Sequence, residues 1–271
     1  MNFKDEAFDI IIQGGQSNAQ GRGRGDVTEE YVPSEDILYL YQPYSVEGHV
    51  ELPIGISSKI IKYEGEPTIE IADERVENGE KIGDFSLFFA KKYKERGLLQ
   101  KGRKILIIRS AIGSTGFVKG HWKTSDPLYK KMIELIDFAL SLNPENKIRC
   151  FLWHQGESDS FEGNDPELYE ELLKTMYFSV KERYSLVSLP FITGDFVNEW
   201  KSKTLHRSGP IADKIKYFTL SVGGVFLETA DLESNNQATE HNNEEIHFSR
   251  EALHRLGERY FDAYTDIIKN N

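Results

Sequence analysis

Six short runs of nearly unbroken apolar residues mark the chain, at positions 8–12, 37–41, 104–108, 148–153, 189–193 and 224–227. Such runs suit strands covered on both faces, the condition of a parallel sheet packed between helices. Most of the intervals carry helical periodicity with start and stop signals. Asp84 can cap a helix bearing Phe85, Phe88, Phe89 and Tyr93 and stopping at Gly97, because its side-chain oxygen satisfies a free N–H of the first turn. Asp126 with Pro127 opens a second helix that ends before Pro144, and Asp165 with Pro166 repeats the opening. In that third helix Leu168, Leu172, Met176, Val180 and Tyr184 recur at every fourth position, which predicts one apolar face. The last helix, from near Ser249, is expected to bury Leu253, Leu256, Tyr260 and Tyr264. Strands alternating with helices require crossovers between parallel neighbours, so the expected fold class is α/β, a doubly wound parallel sheet in one domain spanning residues 1–271. Residues 48–81, rich in Glu, Gly and Pro, break this rhythm. With alternating stretches at 59–63 and 68–71, they are expected to form an inserted hairpin or long surface loop.

Composition narrows the partners. The 33 Lys and Arg against 44 Asp and Glu leave a net charge of −11, which argues against a nucleic acid or an anionic membrane surface, since both demand a basic patch. Small neutral or weakly charged substrates fit better. The single cysteine, Cys150, lies in an apolar run and is expected to be a buried, inert thiol. The longest nearly uncharged apolar stretch, 217–227, contains Gly223 and Gly224 and is shorter than the ~20 residues of a membrane span. The first residues carry Lys4, Asp5 and Glu6 and lack the apolar core of a signal peptide, so a cytoplasmic protein is expected.

In open parallel sheets ligands gather outside the carboxyl ends of the strands. The first strand is followed by Gly14, Gly15, Gln16, Ser17 and Asn18, the third by Ser110, Ala111, Ile112, Gly113 and Ser114, and the fourth by Trp153, His154, Gln155, Gly156 and Glu157. A serine after glycines is ordinarily a turn or N-cap residue, and acts as a nucleophile only with a base. His247 can supply one, and Glu244, three residues earlier, can curl back to hold the Nδ1 proton and leave Nε2 free for the serine. The order serine, acid, histidine is that of α/β-hydrolases, but the G-x-S-x-G elbow is missing around Ser17. Acyl transfer also needs donors aimed at the developing oxyanion. Gly113, the Ser17 N–H and the Gln155 amide are the candidates; taken singly, Gly113 is a tight turn and Gln155 a loop anchor.

The segments Gly15-Gln16-Ser17-Asn18, Trp153-His154-Gln155-Gly156-Glu157-Ser158-Asp159 and Ile246-His247-Phe248 closely resemble the blocks of the SGNH-hydrolase superfamily, in its carbohydrate esterase branch of sialate O-acetylesterases and acetylxylan esterases. The resemblance spans residues 8–264 and implies a three-layer α/β/α, flavodoxin-like fold and metal-free hydrolysis of acetyl esters on sugars. By position it makes Ser17 the nucleophile, Gly113 the oxyanion glycine, Gln155 an amide replacing the superfamily's usual asparagine, and His247 the base. The family usually carries aspartate three residues before the histidine, where Glu244 stands here. Glu157 is a second candidate for that support, since some relatives use it; Glu244 is slightly preferred. Ser114 also stands where relatives often have glycine.

Other patterns carry less. The loop Gly21-Arg22-Gly23-Arg24-Gly25 lacks both the dinucleotide fingerprint and the P-loop lysine, and is expected as a flexible wall beside Ser17. Its Arg24-Gly25-Asp26 tripeptide is taken as chance. His154, Glu157, His241 and His247 match no zinc spacing, and no metal or cofactor is expected. The reading is a serine esterase acting on an acetylated sugar or oligosaccharide. Its rivals are a catalytically idle sugar-binding protein on the same fold and a metal-dependent hydrolase.

Overall fold

Each apolar run becomes a strand of one sheet in the computed structural model, which describes Phe3 and residues 6–53, 55–239 and 243–270. In chain order the strands are β1 (Ala7–Gly15), β2 (Ile37–Tyr41), β3 (Tyr44–Glu51), β4 (Ser57–Tyr63), β5 (Thr68–Ile71), β6 (Arg75–Glu77), β7 (Glu80–Ile82), β8 (Arg103–Arg109), β9 (Lys147–His154), β10 (Phe191–Gly194) and β11 (Val225–Leu227). The helices are α1 (Ser17–Gln20), α2 (Phe85–Glu95), α3 (Pro127–Leu142), α4 (Glu157–Phe161), α5 (Pro166–Arg183), α6 (Asn198–Lys203), α7 (Leu205–Ser221), α8 (Asn235–Ala238) and α9 (Arg250–Lys269).

The central sheet runs β11-β10-β9-β1-β8-β2-β5. Its neighbours are parallel except β5, which lies antiparallel on β2. The five strands β8-β1-β9-β10-β11 keep the flavodoxin-like order 2-1-3-4-5, and β2 with β5 extends that core beyond β8. Winding therefore reverses between β1 and β9, and the crevice above their carboxyl ends is the switch point where ligands bind.

The pleat decides which helix layer each strand residue meets. Ile10 and Ile12 point into one core with Leu106, Ile108, Met132 of α3 and Met176 of α5. Ile11, Ile107 and Cys150 point into the other, with Phe89 of α2 and Leu256 of α9. Burial pushes the Cys150 thiol pKa well up, so it stays protonated and inert.

Three of the four expected helix openings carry a side-chain cap: Asp84 accepts from Ser86 N, Asp165 from Glu167 N and Ser249 from Ala252 N. Asp126 instead accepts from Lys123 N at 2.9 Å, closing the turn before α3. In α5 the buried row is Tyr169, Leu173, Met176, Tyr177 and Val180, and Leu168 is 44% exposed. A strict four-residue row gains about 40° per step on a helix of 100° per residue and leaves the core within a few turns. The sequence pattern also missed α7, whose stripe of Ile211, Ala212, Ile215 and Phe218 is interrupted at its start by Gly209 and Pro210. Pro210 is tolerated because the carbonyl it leaves unbonded belongs to exposed His206.

The insertion expected at 48–81 as a hairpin or surface loop starts earlier, at Tyr44, and holds a hairpin and more. β3 and β4 form an antiparallel hairpin, β5 joins the central sheet and β6 pairs with β7. After β5, buried Glu74 bonds both Arg250 and His254 of α9, so the insertion is tied across the molecule. The 21–25 loop is likewise pinned rather than flexible: Gly23 bridges Gly83, and Arg24 pairs with Glu77 and Glu80.

Candidate functional site

β1 ends in Gly15 at φ 137°, and a Cβ there would lie 2.1 Å from the His154 carbonyl oxygen. Only glycine permits this close pairing of β1 with β9. Gln16 then donates its N–H to the same carbonyl at 3.1 Å, and its Oε1 accepts from Ser158 N at 3.0 Å. Ser17 follows as the first residue of α1, 6% exposed, above the switch point.

Asn18 carries the connection to the other end of the chain. Its Nδ2 donates to Ile246 O at 3.0 Å, and its Oδ1 accepts from Phe248 N at 3.1 Å. The amide thus clasps the backbone on both sides of His247 and brings it to the rim that bears Ser17. Asn235 N holds the His247 carbonyl at 2.8 Å from below. No hydrogen bond joins the His247 ring to Ser17 among the described residues.

The two candidate carboxylates take different places. Glu244 Oε2 lies 3.7 Å from His247 Nδ1, longer than a hydrogen bond, and accepts from Asn235 Nδ2 at 2.9 Å. Burial lowers the imidazole pKa from its ordinary value, Glu244 opposes that, and Arg22 and Arg24 add to the lowering. Glu157 is fully buried, and its Oε1 accepts from Asn18 Nδ2 at 2.7 Å. Burial raises its pKa to about 7 against the pull of the Asn18 bond.

Gly113 lies across from Ser17, with a Cβ built on it 3.4 Å from Ser17 Cβ. Ile112 N donates to Gly15 O at 3.3 Å, which locks this turn to β1. The Gly113 N–H donates to Gln20 Oε1 at 3.0 Å, and its carbonyl accepts from Lys59 Nζ of the β3–β4 hairpin at 2.8 Å. Ser114 takes φ 61°, a conformation glycine adopts without strain. Gln155 points inward: its Nε2 donates to Asp159 Oδ2 at 2.6 Å and meets Gln16 Oε1 and Thr115 O at 3.2 and 3.3 Å. Both its N–H bonds are thereby used within the protein in this conformation.

Asn18, Gln20, Lys59 and Asp159 received no role from the sequence. Asn18 and Asp159 stood inside the motif blocks, a signal left unread. Asp159 accepts from Phe117 N, Val118 N and Asn164 Nδ2 besides Gln155, and a Cβ on Gly116 would approach its Oδ2 to 2.6 Å. It fastens the turn that follows Gly113 to α4 and to Gln155 just beyond β9.

The remaining histidines have separate duties. His154 is fully buried, bonded through Nδ1 to Tyr260 Oη, and lowered to about pKa 3 by burial. Ser58 Oγ and His121 Nε2 lie 3.2 Å apart, but Gly116 N donates to His121 Nδ1. Nε2 therefore carries the proton and cannot act as a base, so this pair anchors the hairpin to the Gly113 turn. Among the described residues no three His, Cys, Asp or Glu side chains gather to hold a metal ion; His241 lies outside them. None of the described helices is long and apolar enough to cross a membrane.

Sheet order and rim together define an α/β architecture, a mostly parallel sheet flanked by helices with its polar clusters at the carboxyl ends of the strands. NanS superposes with a TM-score of 0.74 at 20% identity, over 98% of this chain and 99% of that one. A protein from Arabidopsis thaliana superposes with 0.67 at 21% identity, over 95% and 98%. Residues 7–266 match the family described as carbohydrate esterase, sialic acid-specific acetylesterase, and the chain belongs to it. A probable 9-O-acetyl-N-acetylneuraminic acid deacetylase of Escherichia coli (strain K12) is 28% identical over 92 residues, which span 31% of this chain and 28% of that protein.

Proposed function

We propose that this protein is a serine esterase that hydrolyses O-acetyl esters on carbohydrates, of the acetylxylan or sialate type, through an acyl-enzyme. Ser17 Oγ attacks the acetyl carbonyl carbon while its proton passes to His247 Nε2. The Gly113 and Ser17 N–H groups receive the oxyanion. Collapse of the tetrahedral adduct breaks the ester C–O bond, and His247 returns the proton to the departing sugar oxygen. Water, deprotonated by His247, then attacks the acyl carbon and releases acetate and free Ser17. Glu244 orients the ring through Nδ1, and Glu157 supports it at one remove through Asn18. Gln155, with its amide turned inward, serves as a brace for Gln16 and Asp159. No cofactor takes part.

The observation that carries this reading is the Asn18 clasp, which couples the residue next to Ser17 to both neighbours of His247. The test is acetate release from a panel that includes acetylated xylo-oligosaccharides and O-acetyl sialic acid. Ser17→Ala should abolish it, a loss of about 10⁴-fold or more, and an organophosphonate should label Ser17. Labelling of another serine would sink the assignment. An idle binding protein would release no acetate, and a metal-dependent hydrolase would lose activity to a chelator.

A further inference from the structure

The Gly113 N–H, the donor the reaction needs, is already occupied. Gln20 Oε1 sits 3.0 Å from Gly113 N, within the 2.7–3.1 Å at which an oxyanion would be held. The occupant is an amide oxygen of the protein itself, placed where an ester carbonyl must enter. The other end of the same amide is tied down, because Gln20 Nε2 donates to Tyr44 Oη at 2.7 Å. Tyr44 opens the β3–β4 hairpin and packs edge-on against Tyr63. Both tyrosines and Gln20 line a cavity of about 280 Å³ between the hairpin and the ends of β2 and β8. Buried Ser110, three residues before Gly113, lines it too, and its hydroxyl has no hydrogen-bond partner among the described residues.

We propose that this cavity receives the sugar of the ester and that Gln20 is a specificity gate between the sugar and the oxyanion donor. A ring seated against Tyr44 and Tyr63 brings hydroxyls that compete for Tyr44 Oη and offer Ser110 a partner. Gln20 Nε2 then loses its tether, its Oε1 leaves Gly113, and the freed N–H takes the carbonyl oxygen. A small ester that cannot reach Tyr44 leaves the gate closed. Gln20 acts without touching the reacting atoms, by deciding when the donor is available. The proposal rests on the esterase reading above.

The test compares ethyl acetate, too small to fill the cavity, with acetylated xylo-oligosaccharide or O-acetyl sialic acid, acetate being measured for wild type, Gln20→Ala and Tyr44→Phe. Gln20→Ala should raise kcat/KM for ethyl acetate by about tenfold, the worth of one exchanged hydrogen bond, without raising it for the sugar ester. Tyr44→Phe should move the same ratio in the same direction by less. Free deacetylated sugar should stimulate ethyl acetate hydrolysis by wild type but not by Gln20→Ala. Equal changes on both substrates, or no stimulation by sugar, would overturn the gate while leaving the esterase standing. Inactivity of wild type and variants on every ester would overturn the esterase and the gate together.

Discussion

His247 is poised by opposing influences. Burial disfavours its charged form, Glu244 favours it, and Arg22 and Arg24 disfavour it again, with a net lowering from the ordinary 6.5. The neutral base is therefore present at a lower pH than a free histidine allows, and the acid limb of kcat/KM should fall below pH 6.5. Glu244→Gln removes the one influence that raises the pKa, so that limb should move further toward acid as the rate drops by about 10²- to 10⁴-fold. A limb displaced toward alkali would contradict the assignment. Glu157 gives a different signature. Its folded-state pKa is raised from 4.5 to about 7, so the folded chain binds more protons than the unfolded one across that interval. The stability this supplies is complete below pH 4.5 and lost as pH rises through about 7. Urea midpoints should fall over that window in the wild type and stay flatter in Glu157→Gln. Identical curves would show that Glu157 does not titrate there.

At the scale of elements, the central strands were legible because burial on both faces leaves almost no polar residue in them, as in Ile10, Ile11 and Ile12. The serine, the glycine turn and the histidine block were legible for a related reason, since parallel topology sends every strand end to one rim. The β3–β4 hairpin was legible only as an interruption. Its strands alternate weakly, and nothing local in Lys59 or Ser58 says that they reach Gly113 and Lys119 across 54 and 61 residues. Gln20 was invisible for the same reason, because its partners Tyr44 and Gly113 belong to the insertion and to a distant turn. This makes the hairpin part of the site's framework. Lys59→Met keeps the aliphatic stem but removes the bond to Gly113 O, and should lower kcat by about tenfold with a smaller change in KM. Lys59→Arg should recover part of the loss. An unchanged kcat would show that the Gly113 peptide holds its orientation without the hairpin.

On the scale of the whole molecule, a chain of net charge −11 repels anions, and its surface favours neutral ligands. The cavity beside Gln20 departs from that field: Arg75, Arg109 and Lys131 line it and, among the described residues, no carboxylate does. Each cation is partly satisfied, Arg75 by Glu77, Arg109 by Asp84 at 3.4 Å, and Lys131 by Glu134 and by Gln42, which itself lines the cavity. The carboxylates among those partners, Glu77, Asp84 and Glu134, do not line the cavity, so a ligand in it meets the cations and not their counter-charges. A concave wall of one sign concentrates the field it presents to a small charged ligand. Acetylated sugars bearing a carboxylate should therefore show a lower KM than neutral acetylated xylo-oligosaccharides of similar size. The difference should shrink as ionic strength rises, because the Debye length contracts from about 10 Å at 0.1 M to about 3 Å at 1 M salt. Arg75→Gln should raise KM for the charged substrate and leave that for the neutral one nearly unchanged. If both classes bind equally at low salt, or the neutral ester binds better, those carboxylates cancel the charge of the wall, and sugar choice rests on the tyrosine faces and hydroxyl contacts alone.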